Sequence, residues 1–436
     1  MPVDLTRGGQ PSAYPAHGPR FLPWLGIWAL CFASGACAAL LLWPAHTPTQ
    51  GAWFWLCVVG APNALFALLF GVARTGYETA YLHALYRNQH RQNWLRERIA
   101  GAQRPLYVLG YAYHLPLGDN ALAPTIIAGE SIMTAQKPRN GAGHILHTRL
   151  PDIEPTVMHE PDVDQGETAS EDGAAKTTDL SEVARVKPDG FGLVIQQLLS
   201  PLAATVHVLS QSGPQSMPVV RLVTARPDNA SSRVQLVREA LSHHRLPPLA
   251  CNAASADDGL MLADTWLDAR EQRPLLVIAA EWYDAPPPTG STEGGVAILL
   301  CADASAAQAV GTLHRPVATA LNTLEEDLPM AALWGKAMAE EVRHAWISGI
   351  GAEHDGDLTH AFGEASLTGI ASTDAQHFPD RILGHAGAAA GWLAIVAAVE
   401  SGTAGPQLII NQTQTVQAAV LYAHPKTTHE DRAEAE

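Results

Sequence analysis

The stretch Arg381-Ile-Leu-Gly-His-Ala-Gly-Ala-Ala-Ala-Gly391, running on into the apolar segment Trp392 to Val399, sets the reading of the whole chain. Glycines on either side of His385 and a run of small residues let a helix start lie close against a sheet, with its imidazole at a cleft. The same pattern serves plain packing, so the rest of the sequence has to decide.

The chain has 436 residues, of which 47% are hydrophobic, enough for more than one ordinary domain and a large core. Much of the apolar content lies near the N-terminus. Phe21 to Trp43 and Ala52 to Ala73 are of membrane-spanning length and carry no charged residue, with Trp24, Trp28, Trp43, Trp53 and Trp55 at interfacial positions. With only Pro44 to Gly51 between them, residues 21–74 are expected to form a transmembrane helical hairpin. A cleaved signal peptide would be shorter and would not be followed at once by a second span. Arg7 and Arg20 precede the first span, and Arg74, Arg87, Arg91, Arg96, Arg98 and Arg104 follow the second, so both termini are expected on the cytoplasmic side.

Residues 1–20, rich in proline and glycine, read as a disordered tail, and 75–103 as a juxtamembrane helix against headgroups or the soluble domain. At Arg104 the character changes, and Pro105 to Gly118 reads as the first strand of a buried sheet. Residues 151–182 hold ten acidic side chains and one lysine, Lys176, the mark of a solvated insert. Phe191 to Leu209 reads as helix then strand, Val219 to Ala225 as strand, Arg233 to His244 and Leu260 to Leu267 as helices, and Leu275 to Glu281 and Gly294 to Ala302 as buried strands. Trp346 to Gly351, Gln407 to Ile410 and Ala418 to Ala423 are further strands, and 425–436 a disordered tail. Strands alternate with helices, which makes the class a layered α/β fold.

The net charge of −16 excludes nucleic acid as a natural partner. Cys31, Cys37 and Cys57 lie in the spans, leaving Cys251 and Cys301 in the soluble part, too few for a disulfide framework. No zinc spacing and no nucleotide or phosphate motif occurs, so no cofactor is expected. Cys251, after an apolar stretch and ahead of a helix pattern, is the thiol that a helix dipole could activate, as an acyl-accepting nucleophile needs; the plainer reading is a buried structural thiol.

The segment Gly384 to Gly391 resembles the histidine motif of β-ketoacyl synthases, members of the thiolase-fold superfamily. Leu249-Ala-Cys-Asn-Ala-Ala-Ser255 followed by Val277-Ile-Ala-Ala-Glu281 is similar to the family's nucleophile region, and Glu293 to Leu300 to its Glu-Gly strand. The resemblance, over residues 104–424, implies a thiolase-like duplicated five-layer α/β domain preceded by the transmembrane hairpin, with Cys251, His385 and Asn411 as a catalytic set and a homodimer paired through a sheet edge. The sequence also departs from the family. Ser348, in Ser348-Gly-Ile-Gly-Ala352, stands where the first histidine belongs, 37 residues before His385. The family's lysine is missing near Asp380 and Arg381, and its glycine loop is replaced by Leu408 to Gln417.

Two functions follow: a ketosynthase-like acyl-transfer enzyme using Cys251 and His385, or a thiolase-like scaffold that binds proteins and does not catalyse. The second is preferred, because two polar groups and the glycine loop are gone. The layout also resembles bacterial type VI lipase adaptors, which implies an inner-membrane protein with its soluble domain in the cytoplasm and, as partners, a lipase effector and a secretion spike protein.

Overall fold

A computed structural model describes residues 4–44, 46–151, 189–303 and 308–425. The predicted acidic insert, apart from Pro151, and the tail beyond residue 425 lie outside the described residues. The chain divides into two compact units, with the boundary at Gly101 and Ala102.

The N-terminal unit is helical. α1 (Phe21–Leu41) is followed by α2 (Ala52–Trp55), a π-helical turn (Leu56–Gly60) and α3 (Ala61–Ala102). α1 and the continuous run Ala52–Ala102 are both long and apolar enough to cross a membrane. Pro62 follows the π turn by two residues, and its missing N–H removes the helix hydrogen bond that would reach back into that turn. The 42 residues of α3 extend about 63 Å, twice the hydrocarbon thickness, so the helix continues well past the apolar run. Residues 4–20, expected as a disordered tail, are among the described residues. They run beside α3, where the Ser12 N–H donates to Asn88 Oδ1 at 2.7 Å and Asn88 Nδ2 donates back to Ser12 O at 3.0 Å. Arg91 Nε donates to Gly9 O at 2.7 Å, and the Tyr14 and Tyr81 rings lie 5.3 Å apart.

The second unit is an α/β domain whose elements repeat. The first half runs β1 (Leu106–His114), α4 (Leu122–Ala128), β2 (Thr134–Gln136), β3 (Ile145–Thr148), α5 (Gly190–Leu199), α6 (Ala203–Gln211), β4 (Val219–Thr224), α7 (Ala230–His243), β5 (Ala250–Ser255), α8 (Met261–Asp268), β6 (Leu275–Glu281), β7 (Ser291–Thr292) and β8 (Gly294–Cys301). The second runs β9 (Gly311–Leu313), β10 (Val317–Thr319), α9 (Leu324–Trp334), β11 (His344–Ser348), α10 (Asp355–Glu364), β12 (Gln376–His377), α11 (Pro379–Leu383), α12 (Ala390–Glu400), β13 (Pro406–Gln412) and β14 (Val416–Ala423).

The spatial orders are β5-β4-β6-β8-β1 and β12-β11-β13-β14-β9. In each, three parallel strands are followed by two antiparallel ones, and the chain visits equivalent places in the same sequence. This is an internal duplication, joined where β1 pairs antiparallel with β9. The inner apolar cluster takes Val219, Val223 and Val277 from one half-sheet and Trp346, Ile409 and Leu421 from the other, with α12 between. A second cluster lies where α5 and α7 cover the outer face of the first half. β6 and β8 are buried along their whole length, as strands covered on both faces must be.

One element differs in kind from the expectation. The expected strand at the end of Phe191 to Leu209 is helix α6, and Val206 and Leu209, three apart, form its buried face. Gly190–Gln211 is also apolar enough to span a membrane by composition, but Phe191, Val194, Ile195, Leu198 and Leu199 are core residues of this domain.

Candidate functional site

The carboxyl ends of the parallel strands in both halves meet around the start of α12, the usual place for a site in an α/β sheet. Ser348 ends β11 and Asn411 pairs with it on the neighbouring parallel strand β13. Ser348 is buried and its Oγ donates to Ala390 O at 3.4 Å. Asn411 is buried against the first turn of α12: a Cβ on Gly391 would come 2.6 Å from Asn411 Cγ. That close approach is the physical reason for the small-residue run.

His385 sits in the loop before α12, between α11 and the helix start. Its backbone N–H donates to Gly290 O at 2.7 Å and its carbonyl accepts from Thr292 N at 3.1 Å, which pins the loop to β7. Its ring is exposed and Nδ1 donates to Asp380 Oδ2 at 3.2 Å. The same Asp380 oxygen accepts from Gly349 N at 2.6 Å, so the turn after Ser348 fixes the carboxylate that orients the imidazole. The hydrogen bond to Asp380 raises the pKa of His385 above its ordinary value, with help from the charges of Asp380 and Glu281 and against the pull of desolvation. Glu281, at the end of β6, is buried, and desolvation raises its pKa; the Ala388 N–H donates to its Oε1 at 3.4 Å.

Cys251 is elsewhere. The expectation put it at a helix start, but it is the second residue of β5 and is paired with Val220 on β4. Its side chain belongs to the outer cluster with Val234, Val237 and Leu241 of α7, on the opposite face of the half-sheet from α12. Alternation along a strand dictates this. Cys251 Sγ donates to Leu249 O at 3.4 Å, and burial raises its pKa, away from thiolate. Of the expected set, the structure brings Ser348, Asn411 and His385 to one end of the sheet and leaves Cys251 out.

The head of α8, where the nucleophile was expected, is the turn Ala256-Asp257-Asp258 followed by Gly259. Ser255 Oγ accepts from Asp257 N at 3.2 Å, capping the turn. Gln417, buried on β14, accepts from Leu260 N at 2.6 Å through Oε1 and donates from Nε2 to Asp258 O at 3.2 Å. Thr413 Oγ1 donates to Asp257 O at 3.1 Å and Gln414 Nε2 to Asp257 Oδ2 at 2.8 Å. Gly259 has φ +45°, and a Cβ there would meet Gln417 Oε1 at 2.4 Å. The hairpin between β13 and β14 thus binds the turn directly. The sequence gives Asp380 and Gln417 no role of their own: a carboxylate in a loop and a glutamine in a strand carry no local signal until the fold closes around them.

Chemically, this end of the sheet offers a carboxylate-oriented imidazole with a free Nε2 edge, a buried carboxyl whose pKa burial raises, and two buried polar side chains. Among the described residues no group of three or more His, Cys, Asp or Glu is placed to hold a metal ion.

No protein-family model and no curated protein matches the chain. Solved structures similar to it include the ishigamide ketosynthase/chain length factor, at 15% identity over 74% of this chain and 100% of that one, with TM-score 0.48. The 3-oxoacyl-(acyl carrier protein) synthase III of Pseudomonas aeruginosa PAO1 is similar at 13% identity over 74% and 100%, with TM-score 0.44. The corresponding synthase of Aquifex aeolicus VF5 is similar at 12% identity over 73% and 100%, with TM-score 0.42. Such likenesses carry neither activity nor substrate to this chain. The duplicated strand order, read from this chain itself, makes the domain a thiolase-like α/β fold.

Proposed function

We propose that the protein is a membrane-anchored, thiolase-like binding scaffold and not an acyl-transfer enzyme. The observation that carries this reading is the head of α8: it presents Ala256 to Gly259 tied to Gln417, while Cys251 faces the outer helices. Acyl transfer by a thiol needs the sulfur within hydrogen-bond reach of its base and an oxyanion site formed by close backbone amides. Neither accompanies Cys251 here. Removing one oxyanion donor typically costs about a hundredfold to a thousandfold in rate, so several such losses leave little activity.

In the finer form of this reading, the hairpin of residues 21–74 holds the protein in a bacterial inner membrane. The thiolase-like domain lies in the cytoplasm and loads a lipase effector onto a type VI secretion spike, with no cofactor. The layout of an apolar hairpin, a long basic helix and an altered thiolase-like domain supports it. To test it, full-length wild type, Cys251→Ala and His385→Ala are recovered from detergent-solubilised host membranes and their partners quantified by mass spectrometry. The reading expects the same lipase and spike protein with all three; loss of both in a folded Cys251→Ala protein counts against it and for the enzyme.

A further inference from the structure

We infer that the apolar hairpin carries a seat for one anionic phospholipid, formed by an aromatic groove between its helices and by Arg20 and Arg74 at the groove's end. The inference rests on the membrane reading above. The groove is lined by Pro19, Phe21, Trp24, Trp28, Phe66 and Phe70, residues from both arms of the hairpin. The Trp24 ring stands edge-on to Phe70 at 5.1 Å and to Phe66 at 6.1 Å, and Trp28 Nε1 donates to Asn63 Oδ1 at 2.9 Å. These cross-pairs fix the register of the two helices. Phe21 and Trp28 remain exposed on the lipid-facing side.

Register then places the charges. Arg20 is one turn before Trp24 and Arg74 one turn after Phe70, so both arginine positions belong to the same level of the hairpin, about 6 Å beyond the Trp24–Phe70 contact at 1.5 Å per residue. They are the first charges met on leaving the apolar runs, and both are positive. The long apolar groove suits an acyl chain, and the paired arginines suit the phosphate at its head. Glu78 accepts from Arg74 Nε at 2.8 Å, an exposed pair that competes with the phosphate. An anionic glycerophospholipid satisfies both features, whereas a zwitterionic one brings its own cation against the arginines.

The test uses the full chain, purified in detergent and stripped of lipid, then offered phosphatidylglycerol or phosphatidylcholine, with retention read by native mass spectrometry. Wild type should retain phosphatidylglycerol in preference by about fivefold for each engaged arginine. Arg20→Gln with Arg74→Gln should remove the preference. Glu78→Gln should increase it, a gain that a misfolded protein would not show. Trp24→Ala should lower retention of both lipids and leave their ratio unchanged. Equal retention of the two lipids by wild type, or a preference that survives the double arginine change, would overturn the seat. Alkaline carbonate extraction of host membranes reads the anchor separately: release of the wild-type protein defeats the membrane reading itself, whatever the lipid preference.

Discussion

At the scale of the residue, His385 is governed by Asp380, which holds the ring through Nδ1 and takes Gly349 N–H with the same oxygen. Asp380→Asn should lower the pKa of His385 toward or below 6.5, measured by following its imidazole proton in an NMR titration. Because the folded value is raised above the unfolded one, the pair stabilises the fold fully below pH 6.5, and the contribution is lost as pH rises through the folded pKa. The melting temperatures of wild type and Asp380→Asn should therefore differ most at pH 5 to 6 and converge in mild alkali. Cys251→Ala, by contrast, trims a packed side chain and should cost about 1 kcal/mol in denaturant unfolding, with no change at the site. Burial of Cys251 was legible from its apolar neighbours, but its direction was not. The strand continues to Ser255, four residues further than the helix-start reading needed, and the real turn signal is the Ser255 cap on Asp257.

Among the elements, the hairpin of β13 and β14 matters most, because Gln417, Thr413 and Gln414 tie down the turn ahead of α8. Gln417→Leu leaves the buried Leu260 N without its partner and removes the donor to Asp258 O, which should cost about 1–3 kcal/mol. Thermal unfolding should register the loss, and hydrogen exchange should speed up at residues 257–260 ahead of the rest of the domain. The buried strands β6 and β8 were readable because they are apolar along their whole length, and α12 because its glycines and alanines mark close packing. Helix α6 was misread since Thr205, Val206 and Val208 favour strands on their own. Pro201 at the start of the preceding 3-10 turn and the core beneath Val206 and Leu209 decide for helix instead.

For the whole molecule, the duplication explains why one end of the sheet collects side chains from both halves: equivalent strands deliver their carboxyl ends to the same place. The pattern of alternating strands and helices made an α/β fold legible, whereas the pairing of β1 with β9 that joins the halves is a long-range fact that no local stretch encodes. The described residues from Ala102 onward form a compact unit, so a chain lacking residues 1–101 should fold and melt cooperatively. Reporter fusions after residue 20 and after residue 100 should both show cytoplasmic activity; periplasmic activity at the second point would break the hairpin topology.

The central claim is that this thiolase-like domain holds no working thiol. Incubating the full-length protein with an acyl-carrier thioester and weighing the intact chain tests it directly. The account predicts an unchanged mass for wild type and for Cys251→Ala alike. An acyl adduct on wild type that hydroxylamine removes, and that Cys251→Ala abolishes, would contradict it.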